Sequence, residues 1–210
     1  MFAYAGKILH VNLTTGETKT EPLSEQMAKD YIGGIGLGIR LLFDNSKPGT
    51  DAYDPDNPLI YLTGPLSGTM GPTGGNSYAV VSKSPATGGI GNGEAHGFFG
   101  PDLKRAGYDA VIITGKAPKL SYLWIDDDKV QIMPAEHLKG KSPGETDNTI
   151  REELGDFYIR VSAIGACRAA SGRTDRDRSS HGNVRFPAYF EVSGLVWHDD
   201  HRSSPAATEG

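Results

Sequence analysis

The chain holds one cysteine, Cys167, in 210 residues. A lone thiol builds no intrachain disulfide framework, and by itself it cannot ligate an iron–sulfur cluster. Basic charge is also in deficit: 21 lysines and arginines stand against 26 aspartates and glutamates, for a net charge of −5. That balance argues against a general nucleic-acid surface. No apolar run approaches the roughly 18 residues needed to cross a bilayer. The opening segment MFAYAGKILHVNL lacks the charged-then-apolar layout and small-residue cleavage site of a signal peptide. These absences lead us to expect a cytoplasmic protein with no membrane and no nucleic-acid partner. At this length the chain can bury a real core without metals or crosslinks.

Several familiar catalytic signatures are missing as well. Neither Gly74-Gly75 nor Gly91-x-Gly93 leads into the Gly-Lys-Ser/Thr of a phosphate loop. Gly34-x-Gly36-x-Gly38 has a helical segment before it instead of a strand, and its third glycine comes one position too soon for a dinucleotide fingerprint. The better reading is a close approach of two helical pieces. Ser67 lacks the glycine spacing of a nucleophile elbow, and no Ser/His/Asp arrangement stands out. His198-Asp199-Asp200-His201 has metal-ligand chemistry but reads as a solvated tail end.

What the sequence does have is glycine, 28 residues of it, against a usual share of about 7%. The densest stretch is Ser84 to Gly115, SPATGGIGNGEAHGFFGPDLKRAGYDAVIITG. It reads as a long glycine-rich loop, a short helix starting near Pro101, and an apolar strand. Closely spaced glycines let a backbone approach a ligand and leave N–H groups free to face an anion. Glu94 and His96 sit inside that loop, either as solvated polar residues or as groups that position a ligand. Lys104 and Arg105 read as surface charges of the helix that are also able to supplement an anion site.

Strand patterns run from Lys7 to Leu13, Pro58 to Thr63, Tyr78 to Ser82, Asp109 to Thr114 and Phe157 to Ile164. Glu17 to Glu21 returns on the first as a hairpin partner. Ser121 to Ile125 and Lys129 to Met133 form a second hairpin across Asp126-Asp127-Asp128. Ser24 is a candidate N-cap for a helix through Tyr31; Leu37 to Phe43 and Glu145 to Leu154 are helical in period. The order predicts an α+β fold, two antiparallel β-sheets forming a platform with short helices. Beyond Arg168 the chain turns polar and aperiodic, with one strand-like run from Phe186 to Trp197. We therefore expect a domain over 1–166 and a divergent, poorly ordered tail over 167–210.

Taken in order, GKILHVNLTTGE, DYIGGIGLGIRLL, LIYLTGPLSGT, PTGG, VSKSPATGG, GFFGPDLKRAGYDAVIITGKA and SAIG resemble one family. It is the N-terminal domain of the tungsten-containing aldehyde ferredoxin oxidoreductases, and the resemblance spans about residues 4 to 166. It implies a two-sheet platform carrying a bis-pterin cofactor with tungsten, or in some relatives molybdenum, whose phosphates are bridged by magnesium. It implies cofactor contacts at Asn76, Gly93, Glu94, Ala95, His96 and Gly97, partly through main-chain atoms, with no catalytic side chain on this domain. The implied reaction oxidises aldehydes to carboxylic acids and passes electrons through a [4Fe–4S] cluster to ferredoxin. The implied partners are the enzyme's remaining domains, ferredoxin and the aldehyde, with homodimerisation left open. The cluster's cysteines belong to later domains, so the isolated chain is expected to be inactive.

Three departures qualify the resemblance. The loop in family members is nearer to Ala-Asn-Ser-Gly-Gly, so Glu94 and His96 are unusual; a carboxylate beside phosphates is unfavourable unless it faces magnesium or points away. An arginine often follows the paired glycines matching Gly74-Gly75, where this chain has Asn76 and Ser77. After Ile164-Gly165 the family continues Pro-Ala-Gly-Glu, whereas this chain has Ala166-Cys167-Arg168, as a truncation or a change of reading frame would leave it. Two other readings stay open: a non-catalytic remnant or accessory protein that keeps the β platform without cofactor, and a generic anion-binding module.

Overall fold

The computed structural model describes residues 2–70 and 75–163, together with a strand at 192–197. Its strands are β1 (Lys7–Asn12), β2 (Thr18–Pro22), β3 (Leu59–Leu62), β4 (Ser77–Lys83), β5 (Ile90–His96), β6 (Ala110–Thr114), β7 (Ser121–Asp126), β8 (Lys129–Pro134), β9 (Arg160–Ser162) and β10 (Val192–Trp197). Four short helices interleave with them: α1 (Glu25–Tyr31), α2 (Gly34–Asn45), α3 (Phe99–Arg105) and α4 (Pro143–Leu154). The expected α+β architecture with two sheets is what the chain adopts. One sheet has the order β2-β1-β6-β3-β4-β5 and the other β8-β7-β10-β9. Most pairs are antiparallel, but β1 runs parallel to β6, and β10 parallel to β7. The first sheet is therefore mixed, because the chain leaves β1 by a hairpin and returns beside it only after β5 and α3.

Strand alternation divides the interior. Ile8, Ile60, Leu62, Val81 and Ile112 point to one face of the larger sheet, where they pack with Leu37 and Leu41 of α2 and Ala28 of α1. Leu9, Val11, Tyr61, Val80, Val111 and Ile113 point to the other, against Leu123 and Ile125 of the second sheet. Central strands buried on both faces read as continuous apolar runs, as LIYL and AVIIT do here. Phe99, Leu103 and Ala106 of α3 close one end of this inter-sheet core. The second sheet's far side is covered by α4 through Ile150, with Tyr122, Leu138 and Ile159.

The local signals act as expected at several points. The Ser24 hydroxyl accepts from Met27 N at 3.1 Å and starts α1. Gly36 and Gly38 are packing glycines: a Cβ on Gly36 would stand 2.6 Å from Tyr31 O, and one on Gly38 would stand 2.7 Å from Leu62 and Val81 side-chain carbons. The first lets α1 and α2 meet, and the second lets α2 settle on the sheet. Ser142 and Glu145 form a reciprocal capping box at the start of α4.

One element differs from expectation. The stretch read as a loop before Pro101 contains β5, a seven-residue edge strand paired with β4 from Ser77↔His96 to Lys83↔Ile90. Its sequence, IGNGEAH, lacks the β-branched density of a typical strand. Pairing with the buried β4 imposes the extended form anyway. The expected final strand narrows to Arg160–Ser162, and β10 lies within the strand-like run read at Phe186 to Trp197. The expected boundary near residue 166 and the remainder of the tail, His198 to His201 and Cys167 included, fall outside the described residues.

Candidate functional site

Among the described residues β5 forms one unpaired edge of the larger sheet, and the ladder with β4 decides which of its groups are available. Gly97 N donates to Asn76 O at 2.7 Å, and Ser84 N donates to Gly89 O at 2.8 Å. Both are directly opposed pairs in the same register. Hydrogen-bonded and non-hydrogen-bonded pairs alternate along an antiparallel ladder. Gly91, Gly93 and Ala95 therefore direct their N–H and C=O groups to β4, while Asn92, Glu94 and His96 direct theirs out at the edge. The glycines do not supply the open donors, as the loop reading had it. Gly91 instead permits a close approach, since a Cβ there would stand 3.2 Å from Ser84 Cβ, and the neighbours of the glycines supply the N–H groups.

Side chains alternate in the same rhythm. Gly91, Gly93 and Ala95 are half-buried on the face shared with Tyr78 and Val80, their cross-strand partners. Asn92, Glu94 and His96 are exposed on the opposite face, across from Val81, Ala79 and Ser77. Glu94 and His96 thus lie side by side, two residues apart on one face. The carboxylate points away from the small-residue face, which removes the electrostatic conflict that its presence in this segment raised. Asn76 is exposed and next to Gly97 through the backbone pair. The structure therefore gathers Asn76, Gly93, Glu94, Ala95, His96 and Gly97 along one sheet edge and its adjoining corner.

The corner is held from behind. Gly100 presses on β4 so closely that a Cβ there would overlap Ser77 O. Ser67 Oγ donates to Ser77 O at 3.0 Å and accepts from Gly64 N at 3.0 Å, tying the Gly64–Gly68 turn to the start of β4. Gly68, at φ +76°, meets Pro101 at the start of α3. Tyr78 stacks on Tyr61 at 6.0 Å and tilts against Phe99 at 4.8 Å, and its hydroxyl lies 2.8 Å from Ser162 Oγ of β9. Burial raises the Tyr78 phenol above its ordinary value, offset in part by that hydrogen bond. Tyr78 is a neutral aromatic neighbour of Ala95 on the same face of the sheet.

Lys104 is not a surface charge. Its side chain is 11% exposed, and its ammonium donates to Asp109 Oδ1 at 2.6 Å and to Gly64 O at 3.0 Å. Arg105 donates to Asp102 at 2.6 Å. Lys104 is thus not offered to a ligand, whereas the Arg105 side chain remains 44% exposed. Sequence reasoning passed over Arg160, which reaches this corner from β9: its guanidinium carbon stands 5.3 Å from the Phe98 ring centroid. Only its position before the SAIG motif signalled it. Among the described residues no group of three or more His, Cys, Asp and Glu side chains is arranged to hold a metal ion. No helix there is long and apolar enough to cross a membrane.

The family model for the aldehyde ferredoxin oxidoreductase N-terminal domain matches residues 8–174. The tungsten-containing aldehyde ferredoxin oxidoreductase of Pyrococcus abyssi is 47% identical over 165 residues, covering 79% of this chain and 27% of its own length. The Pyrococcus furiosus enzyme of the same name is 44% identical over the same span. An aliphatic sulfonate oxidoreductase, WOR-like subunit, of Pyrococcus furiosus is 38% identical over 191 residues, 90% of this chain and 30% of its own length. Among solved structures, the active-site complex BamBC of benzoyl coenzyme A reductase with 1,5-dienoyl-CoA matches with a TM-score of 0.84 at 35% identity. That match covers 93% of this chain and 31% of the solved one. The chain thus spans 27% of the length of these tungsten enzymes.

Proposed function

The chain belongs to the aldehyde ferredoxin oxidoreductase family, carrying its N-terminal domain, and we propose that it is the cofactor platform of a tungsten-dependent oxidoreductase. The observation that carries the reading is the free edge of β5. Outward N–H groups of Asn92, Glu94 and His96 offer donors, and the small residues Gly93 and Ala95 on the half-buried face would let a flat ring system approach the strand. These residues fit a pterin bearing phosphate. Asn76, Gly93, Glu94, Ala95, His96 and Gly97 would hold it chiefly through the backbone, with Tyr78 beside Ala95 on the same face.

When bound, such a cofactor supplies the redox-active metal, tungsten or molybdenum, that oxidises an aldehyde to a carboxylic acid. This domain's own work is binding, orientation and electrostatics. The ladder with β4 fixes the edge donors before the ligand arrives, so little ordering is left to oppose binding. With Glu94 on the far face, a phosphate or a bridging magnesium at the near face meets backbone dipoles, not a carboxylate. The [4Fe–4S] cluster, the substrate pocket and the contact with ferredoxin belong on this reading to the remaining domains, and the isolated chain is inactive. Ile32, Leu66, Met70 and Phe98 are large apolar side chains left exposed, and they suit cover by those domains.

The test is composition. Purified from a host that makes the pterin and takes up tungstate, the chain should carry tungsten by elemental analysis and yield a fluorescent pterin on oxidation. A folded chain free of both would favour the remnant reading, in which the platform persists without cofactor.

A further inference from the structure

We infer that Arg160 is an oxyanion-binding residue at the Gly97–Phe98 corner, using guanidinium donors that the described residues leave unfilled. The inference rests on the reading of β5 as the cofactor edge and adds to it a cationic side chain. β9 delivers two side chains, two residues apart on one face, toward the larger sheet. Ser162 reaches the hydroxyl of Tyr78, the cross-strand partner of Ala95, at 2.8 Å. Arg160 reaches the Phe98 ring at 5.3 Å, one residue beyond Gly97.

The partners of Arg160 do not use its hydrogen-bonding capacity. Nε lies 3.5 Å from Asp102 Oδ2, near enough for charge attraction, yet it is buried without a hydrogen bond. Nη1 makes one long bond, 3.4 Å, to Ile159 O. The same Asp102 carboxylate already takes a 2.6 Å bond from Arg105 at its other oxygen. Two arginines thus share this carboxylate, while Lys104 is committed to Asp109. A guanidinium carries five N–H donors in a planar fork that matches phosphate or carboxylate oxygens. The Arg160 side chain is 20% exposed, so part of it reaches solvent. Glu94 and its negative charge lie on the other face of β5. The corner therefore presents an underused fork over the Phe98 ring, one residue beyond Gly97.

The experiment is a titration of the full chain with inorganic pyrophosphate, followed by the amide signals of Gly97 and Phe98 and the Arg160 Nε–H signal. Saturable shifts at all three are expected. Arg160→Gln should weaken the affinity about tenfold or more, the scale of a charge-assisted fork. Arg105→Gln removes an equal charge from the same carboxylate and should leave the affinity within about twofold. Arg160→Lys keeps the charge and the attraction to Asp102 but loses the fork; it should melt as the wild type does and bind with intermediate affinity. It also serves if the glutamine variant fails to fold. The inference is overturned if the wild type does not bind pyrophosphate. It is also overturned if Arg160→Lys binds like wild type, or if Arg105→Gln and Arg160→Gln lose affinity equally. Tungsten and pterin content is read on the unmodified chain, so the platform reading stands or falls separately.

Discussion

The Lys104 ammonium lies 2.6 Å from Asp109 Oδ1, with the two side chains 11% and 1% exposed. Asp109 also accepts from Ala5 N at 3.2 Å and Gly6 N at 2.6 Å. Lys104 bonds Gly64 O and stands 5.3 Å from the Tyr4 ring centroid. One pair therefore clamps the N-terminal segment, the turn after β3, α3 and the start of β6. Lys104→Met leaves a buried carboxylate with only its two backbone donors. It should destabilise the chain by about 3 kcal/mol, near the low end for breaking a buried pair, read by urea unfolding. An unchanged midpoint would show that the pair contributes nothing.

Gly100 and Ser77 make the second contact that shapes the corner. A methyl at Gly100 meets a backbone carbonyl, which cannot rotate away as a flexible side chain would. Gly100→Ala should therefore lower stability by about 1–3 kcal/mol, as overpacking does. It should also shift the amide signals of Gly97 and Asn76, whose pairing lies beside it. A neutral substitution would mean that α3 is free to move off β4.

Two buried tyrosines should respond oppositely to loss of their hydroxyls. Tyr108 donates to Asp127 O at 3.0 Å, whereas the Tyr122 hydroxyl is buried without a hydrogen-bond partner. Tyr108→Phe should destabilise by about 1 kcal/mol, and Tyr122→Phe should be neutral or stabilising. Thermal melts of the two variants decide it.

Burial, with Asp128 and Asp127 adding to it, pushes the Tyr108 phenol up to about 12. An unfolded tyrosine titrates near 10. Above pH 10 the unfolded chain gives up this proton first, so unfolding is increasingly favoured until the folded phenol also ionises. The contribution is intact below pH 10 and lost as the pH rises through 12. Tyr108→Phe should flatten the alkaline fall in stability over that window, and an unaltered slope would contradict it.

Much of this was legible because the decisive residues act locally. Ser24 announces its helix, and LIYL and AVIIT announce central strands covered on both faces. The family motifs pointed to the corner where Asn76 pairs with Gly97. β5 was hidden because glycine and alanine occupy its inner positions, although the period of two is there once Gly91, Gly93 and Ala95 are set against Asn92, Glu94 and His96. Lys104 and Arg160 were beyond local reasoning. A lysine after a glycine-rich turn looks solvated until Asp109 and Gly64 O are brought to it by the sheet. Arg160 acquires its position only when β9 docks against α3.

The small face of β5 is the central claim, and Gly93 is the residue to fill. Gly93 opposes Val80 on the half-buried face where a flat ring would lie. Valine suits a strand, so Gly93→Val should preserve the fold while occupying that space. The measurement is tungsten and pterin content per chain, wild type against Gly93→Val, both purified from the same tungstate-fed, pterin-producing host. The account predicts a variant with an unchanged circular dichroism spectrum that has lost most of its cofactor, about tenfold or more if binding drops by over 1.4 kcal/mol. A folded Gly93→Val chain with full tungsten and pterin would contradict the assignment of this edge.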